Sequence, residues 1–329
     1  MPENADRALK NFLCYLPATV DEWLIFYDSR FTKEIARRVA EAIRVREVVD
    51  LRQTRAEHVS TLDETCFPFP QIGALFFSLF HAAGSYSNEY LNAFERLNVF
   101  DTWPSNRCRI VDEVTDSTFD DVFQTSPDSL RDDCFETLDR CRQSDRARFS
   151  ADTGSLDIRY DPKSGVPYTG FEPYEFNIPS GEIAFNPIDI NGRISFCGWL
   201  IGSIPFGQKY GRIGDDQLIL TFDNGRISGV SGSRGGLVSD LEATFGRSPA
   251  LRDVKEFGIG LNTAASALAR RHTVGLQWME KCRGLHLGLG AELTEHISDH
   301  RLRRTHHHLD LVFDRGELLV GDNLILSCS

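Results

Sequence analysis

Glycine divides this 329-residue chain more sharply than any other residue type. Only Gly73 and Gly84 fall in the first 150 positions, and the other 24 of the 26 lie beyond. Glycine alone enters left-handed backbone without steric cost and lets two backbones approach closely. A glycine-poor half therefore favours helices, and a glycine-rich half favours strands and tight turns. The length also exceeds the usual reach of one core. Two domains are expected, with a boundary near Ser150: an α/β domain over 1–150 and a C-terminal α+β, mixed-sheet domain over 151–329.

Within the first half, Trp23 to Tyr27 is a short apolar run, and Asp28-Ser29 follows as a helix start. Ile35, Val39, Ala42 and Ile43 recur at helical spacing between Thr32 and Val45, and Val48-Val49 with Leu51 makes a second strand. Strand, helix, strand implies a parallel pair with a right-handed crossover. Further helices are predicted over 71–83, 88–97 and 128–143. No glycine-rich phosphate loop follows the first strand, which argues against a nucleotide cofactor. In the second half Leu156, Ile158 and Tyr160 alternate with polar residues, the strand period. Asn191-Gly192 and Asp223-Asn-Gly225 predict two hairpin turns. Helices are predicted over 237–246 and 263–282, and strands over 285–289, 307–313 and 318–326.

A formal charge of -12 with no basic cluster excludes an ordinary nucleic-acid binder, because phosphate contacts need grouped Lys and Arg. The polar start from Met1 to Lys10 lacks the apolar stretch of a signal peptide. The longest nearly apolar run, Ile72 to Ala83, is too short to span a bilayer and reads as a buried helix. Eight scattered cysteines without a C-x-x-C pair suggest reduced thiols, and hence a cytoplasmic protein.

The chemistry-bearing residues lie in the glycine-rich half. In His308-Leu-Asp310 the imidazole and carboxylate emerge on one face of a strand, because residues two apart point the same way. Such donors suit zinc, iron, manganese or cobalt. His286 opens His-Leu-Gly-Leu-Gly290, where Gly288 and Gly290 share its face and leave a space above the strand. Glu256 and Glu182 each stand at the mouth of a glycine-containing, otherwise apolar segment, a setting in which a carboxylate needs a partner. His306, His307, His296, Asp299 and His300 are weaker candidates in or beside a polar loop. Ser180 and Ser231 lack the G-x-S-x-G elbow of a serine hydrolase.

Four stretches occur in a recognisable order: Asn177-Ile-Pro-Ser-Gly-Glu182, Glu256-Phe-Gly-Ile-Gly-Leu-Asn262, His286-Leu-Gly-Leu-Gly290 and His308-Leu-Asp-Leu-Val312. Together they resemble the aminopeptidase T family of metallopeptidases, over most of the C-terminal half. The resemblance implies an α/β N-terminal domain, a metal-bearing C-terminal domain, a homodimer and a cocatalytic pair of divalent ions. It places the metal ligands at Glu182, Glu256, His286, His308 and Asp310, with Glu182 and Glu256 as the catalytic carboxylates. Two positions depart from the pattern. The tyrosine expected seven residues after the third-motif histidine is Leu293, and the Asn-Pro after the second motif reads Asn262-Thr263. The resemblance extends to dihydroxypyridine dioxygenases, which hold one ferrous iron and carry a histidine where this chain has Glu256.

Three functions follow as expectations. The first is a metal-dependent hydrolase, aminopeptidase-like, acting on a peptide or amide with Zn, Co, Mn or Fe(II). The second is a ferrous-iron ring-cleaving dioxygenase acting on a small phenolic substrate, and the third a non-catalytic relative that binds a peptide.

Overall fold

The structure, a computed structural model, describes residues 2–53, 66, 69–78, 105–171, 175, 177–202, 204–273, 276–290 and 308–328. The helix predicted over 88–97 lies outside these residues. So do Leu293, His296, Asp299, His300, His306 and His307.

In chain order the elements begin α1 (Pro2–Leu13), β1 (Glu22–Tyr27), α2 (Lys33–Ala42), β2 (Val45–Asp50), β3 (Ile72–Ser78), β4 (Cys108–Asp112), α3 (Phe119–Val122) and α4 (Pro127–Cys141). They continue with β5 (Arg146–Ala151), β6 (Gly154–Tyr160), β7 (Val166–Tyr168), β8 (Asn177–Ile178), β9 (Glu182–Phe185), β10 (Pro187–Ser195) and β11 (Gly198–Gly202). After them come α5 (Phe206–Tyr210), β12 (Ile219–Asp223), β13 (Arg226–Ser231), α6 (Gly235–Arg247), β14 (Val254–Gly260) and α7 (Thr263–Ala269). The last strands are β15 (Gly284–Gly290), β16 (His308–Phe313), β17 (Gly316–Val320) and β18 (Asn323–Cys328).

These elements fall into two compact units, Met1–Ser129 with Thr169–Ser180, and Leu130–Tyr168 with Gly181–Ser329. Most of α4 and all of β5 belong to the second unit, although they precede residue 150.

The first unit is α/β, with a parallel sheet in the order β2-β1-β3-β4-β8. The β1–α2–β2 reading matches what forms. Ile35, Ala36 and Val39 make the buried stripe of α2. The apolar run from Ile72 is a correction: residues 72–78 form β3, not a helix. β3 is hydrogen-bonded to β1 on one side and β4 on the other, and residues 72–77 are all buried. A parallel strand covered on both faces loses the alternation that would mark it as a strand. Ring contacts fill the space beside it, with Phe26 and Phe76 stacked at 4.5 Å and Phe12 against Phe119 at 5.3 Å.

The second unit carries two sheets where one mixed sheet was expected, and every ladder within them is antiparallel. One runs β13-β12-β10-β6-β5-β17-β18, the other β11-β16-β15-β14-β9-β7. Their facing side chains share one core, which includes Leu156, Ile158 and Ile194 from the first sheet and Phe257, Leu287 and Leu311 from the second. Tyr160 meets Phe185 at 4.9 Å and Phe149 meets Phe313 at 5.0 Å across that core. Helix α6 adds Leu237, Leu241 and Phe245 to it.

Asp223-Asn-Gly225 makes the predicted hairpin between β12 and β13, with Asn224 and Gly225 both at positive φ, 50° and 72°. Asn191-Gly192 does not turn. It lies inside β10, where Gly192 pairs with Leu156 on one side and Phe222 on the other. Its φ is 136°, and a Cβ there would stand 2.2 Å from the Ser155 carbonyl, so the glycine serves a close strand approach. The strand predicted over 318–326 is instead the β17–β18 hairpin. The helix predicted over 263–282 is α7 followed by a separate 3-10 turn, Gln277–Lys281. Among the described residues no helix is long and apolar enough to cross a membrane.

Candidate metal centre

The six-stranded sheet has two opposite characters on its two faces. Ile183, Phe257, Ile259, Leu285, Leu287, Leu289, Leu309 and Leu311 point into the shared core. The alternate residues point the other way, and they are the glycines, glutamates, histidines and aspartate of the four motifs. Register aligns them. Glu256 sits opposite Gly288, and Gly288 opposite Asp310. One pair along, Gly258 sits opposite His286, and Glu182 sits opposite Gly260. Thus Glu182 on β9, Glu256 on β14, His286 on β15, and His308 and Asp310 on β16 all share one sheet face.

The glycines make this crowding possible. A Cβ on Gly258 would lie 1.9 Å from His286 Nε2. A Cβ on Gly288 would meet Glu256 Cβ at 2.8 Å, His308 Cε1 at 2.9 Å and Asp310 Oδ1 at 3.2 Å. Gly288 is therefore a gap ringed by three of the five predicted residues.

Two groups form around it. In the first, His286 Nε2 stands 2.9 Å from Glu182 Oε1 and 3.3 Å from Glu256 Oε1. One donor atom from each of Glu182, Glu256 and His286 lies within 4.8 Å of the others, and all three residues are buried. In the second, His308 Nε2 and Asp310 Oδ1 are 2.7 Å apart. Ligand atoms at about 2.1 Å from one tetrahedral ion stand roughly 3.4 Å from each other, so the first group has the spacing of a coordination sphere. Asp310 Oδ2 is buried and, among the described residues, receives no hydrogen bond. A bare buried carboxylate oxygen is costly unless a cation lies beside it. The donors present thus fit a divalent ion, held by Glu182, Glu256 and His286, with His308 and Asp310 adjoining.

Two charged residues at the centre had no place in the sequence reading. Lys281 Nζ is bonded to Glu182 Oε2 and lies 2.8 Å from Glu280 Oε1. Lys281 also stands over the Tyr168 ring, 5.3 Å from its centroid. Gln277 Nε2 donates to Glu280 Oε2 at 2.9 Å. The available signal was a charged pair set among apolar residues, Trp278-Met279-Glu280-Lys281-Cys282. Buried charges of this kind seldom occur without partners.

Electrostatics set the two glutamates apart. Burial would raise the Glu182 carboxyl, but the Lys281 ammonium and the His286 ring overcome it and hold it well below the usual carboxylate range. Burial raises Glu256, and the hydrogen bond from His286 only partly opposes it while Glu182 and Asp310 add to the rise. Burial also pushes Glu280 up, to about 7, against the pull of Lys281. His286 and His308 go the other way from what burial alone would do. Glu182 and Glu256 hold His286 well above its ordinary value, and Asp310 raises His308 to about 9. Without a cation, the carboxylates of this face are balanced by protonated imidazoles and one ammonium.

No family model and no curated protein matches the sequence. Solved structures do share its fold. One is 2,5-dihydroxypyridine dioxygenase from Pseudomonas putida KT2440, with a TM-score of 0.59 and 15% identity over 99% of this chain and 96% of that one. Another is AmpT from Thermus thermophilus, with a TM-score of 0.57 and 12% identity over 95% of this chain and 94% of that one. At such identities the likeness is one of fold: this chain has the architecture common to both.

Proposed function

We propose that the protein is a metal-dependent hydrolase of peptide or amide bonds, aminopeptidase-like in its site. The observation that carries this reading is the meeting of Glu182, Glu256 and His286 at the spacing of one coordination sphere, with His308 and Asp310 beside them on the same sheet face. The fold shared with AmpT and the order of the four motifs point the same way. A bound divalent ion would polarise an amide carbonyl and lower the pKa of a water toward about 7.

The chain's own residues have separable parts. Glu182 stays ionised through Lys281 and His286, which makes it an anionic anchor and a poor proton acceptor. Glu256 lies between the two groups and holds a proton more readily, so it would help to hold a metal and suits proton transfer. Gly258 and Gly288 leave the room that the side chains of His286, Glu256, His308 and Asp310 fill.

One observation favours a second reading. His286, His308 and Asp310 on one face are two imidazoles and a carboxylate, the donor set of a ferrous dioxygenase with open positions for oxygen and a phenol. The dihydroxypyridine dioxygenase has the same fold. One experiment separates the two readings. Protein stripped of metal is reloaded with Zn, Co, Mn or, anaerobically, Fe(II), and assayed for release of an N-terminal residue from leucyl peptides and for oxygen uptake with 2,5-dihydroxypyridine. Peptide release that disappears in Glu256→Gln supports the hydrolase. Oxygen uptake with iron and no peptide release under any metal would sink it.

A further inference from the structure

The turn Gln277–Lys281 that presents Glu280 and Lys281 to the metal centre has a second side. There Met279 and the following Cys282 line a separate cavity of about 420 Å³. Register places it on the same sheet face as the centre. Val312 pairs with His286 on one side and with Trp199 on the other, and Val312 and Trp199 both line the cavity. Its volume is that of a pocket for a small organic molecule.

The charge of this cavity runs against the chain as a whole. Its walls include Arg212, Arg270, Arg283 and Arg315 against one carboxylate, Asp314, in a protein of formal charge -12. Two of the arginines are held in place by carboxylates, one of them, Asp314, on the same wall. Arg212 meets Asp314 through two hydrogen bonds, at 2.5 and 2.9 Å, and Arg315 meets Asp215 at 3.1 Å. A guanidinium has five N–H donors, so a paired one still has donors to offer. Arg270, the C-cap of α7, and Arg283 before β15 are exposed and complete the basic wall. Half-buried Ala269 and Cys328, with the buried Trp199 and Met279 also on the lining, supply an apolar floor.

We propose that this cavity is a binding site for a small organic anion, a phosphate or carboxylate on an aromatic or aliphatic body, distinct from the metal centre. The guanidinium groups recognise the anionic head by charge-assisted, forked hydrogen bonds. The apolar floor, with Ala269 and Cys328 at its surface, takes the apolar body. The proposal does not depend on the hydrolase reading, since no metal ligand lines the cavity.

Phenyl phosphate is the probe, with benzyl alcohol as its neutral counterpart and inorganic phosphate as its body-free counterpart, titrated calorimetrically at low salt. One phenyl phosphate should bind per chain, more tightly than inorganic phosphate, and benzyl alcohol should not bind. Arg270→Gln with Arg283→Gln should weaken the phosphate ester by at least about tenfold, the order expected for losing charge-assisted hydrogen bonds. Both arginines are exposed, so the double variant should fold, and an unchanged melting temperature checks it. Glu256→Gln should bind the probe as the unaltered protein does. Absence of binding, binding indifferent to the two arginines, or binding lost in Glu256→Gln would each overturn the proposal. Equal affinity for inorganic phosphate would overturn the role of the apolar floor.

Discussion

The two faces of the six-stranded sheet are built from the same strands, often from neighbouring residues, yet they are held together by different physics. Leu285, Leu287 and Leu289 bury area against the seven-stranded sheet, whereas His286 and Gly288 between them face a set of charges. Burial on the first face contributes in proportion to apolar area and is indifferent to protons or ions. On the second face each buried charge is tolerable only because another lies beside it. A substitution on the apolar face should therefore cost the same under all conditions. One on the polar face should cost an amount that depends on pH and on bound cation.

The largest test is Lys281→Met, which keeps an unbranched side chain and removes the ammonium that stands over Tyr168. In chelated protein it leaves Glu182 and Glu280 without their shared cation, and removing one partner of a buried ion pair costs about 3–5 kcal/mol. In metal-loaded protein the loss should be smaller, because the ion takes over part of the neutralisation. Urea unfolding in chelator and in saturating Zn or Mn measures both. Equal losses would mean that the polar face does not depend on a cation at all.

Leu287→Ala is the matching change on the other face. Leu287 is fully buried and stands between Phe257 and Leu311. Truncating such a leucine costs about 2–5 kcal/mol. The same value is expected at pH 6.5 and 9, with and without metal. A loss that moved with pH would break the distinction between the faces.

A smaller effect should appear without any mutation. His308 titrates at about 9 in the folded chain against an ordinary 6.5, and His286 is raised in the same sense. A group whose pKa is raised on folding contributes stability that is complete below the unfolded value and lost as pH climbs through the folded one. The raised carboxyl of Glu256 acts with the same sign. Chelated protein should therefore lose on the order of 1–3 kcal/mol between pH 6.5 and 9. Metal binding should strengthen over the same window, since the ion displaces these protons. A flat stability profile for chelated protein across that range would contradict the pairing described for His308 and Asp310.

The same contrast explains what could be read from the chain beforehand. Alternation of leucine with glycine, histidine and aspartate writes both faces of β15 and β16 into the sequence, so His286, His308 and Asp310 could be placed on one side before any coordinates. Glu182 and Glu256 stand out by their glycine-containing, apolar settings and by the order of the motifs, but the antiparallel register that brings them to His286 is not in the pattern. β3 was misread because a strand buried on both sides has no alternation to show. Asn191-Gly192 carried a turn signal that its two neighbouring strands overrode. The significance of Glu280 and Lys281 is tertiary: a short turn folds back to put Lys281 against Glu182, with Glu280 beside that ammonium.

The smallest prediction concerns the end of β14, where the polar face runs out into a helix. There the sequence reads Asn262-Thr263 where the motif that it resembles has Asn-Pro. Asn262 is the N-cap of α7, its side chain accepting from the Ala265 amide at 3.0 Å, and Thr263 is the first helical residue. That first position is the one that suits proline, whose missing N–H would have no helical partner and whose fixed φ is already helical. Asn262, at φ -76° and ψ 101°, has the extended backbone that a following proline requires. Thr263→Pro should accordingly stabilise the protein by about 0.4–1 kcal/mol through the unfolded state, with metal binding unchanged. A melting curve and a metal titration check both halves. Destabilisation, or a loss of metal affinity, would show that this departure belongs to the chemistry of the polar face rather than to the capping of a helix beside it.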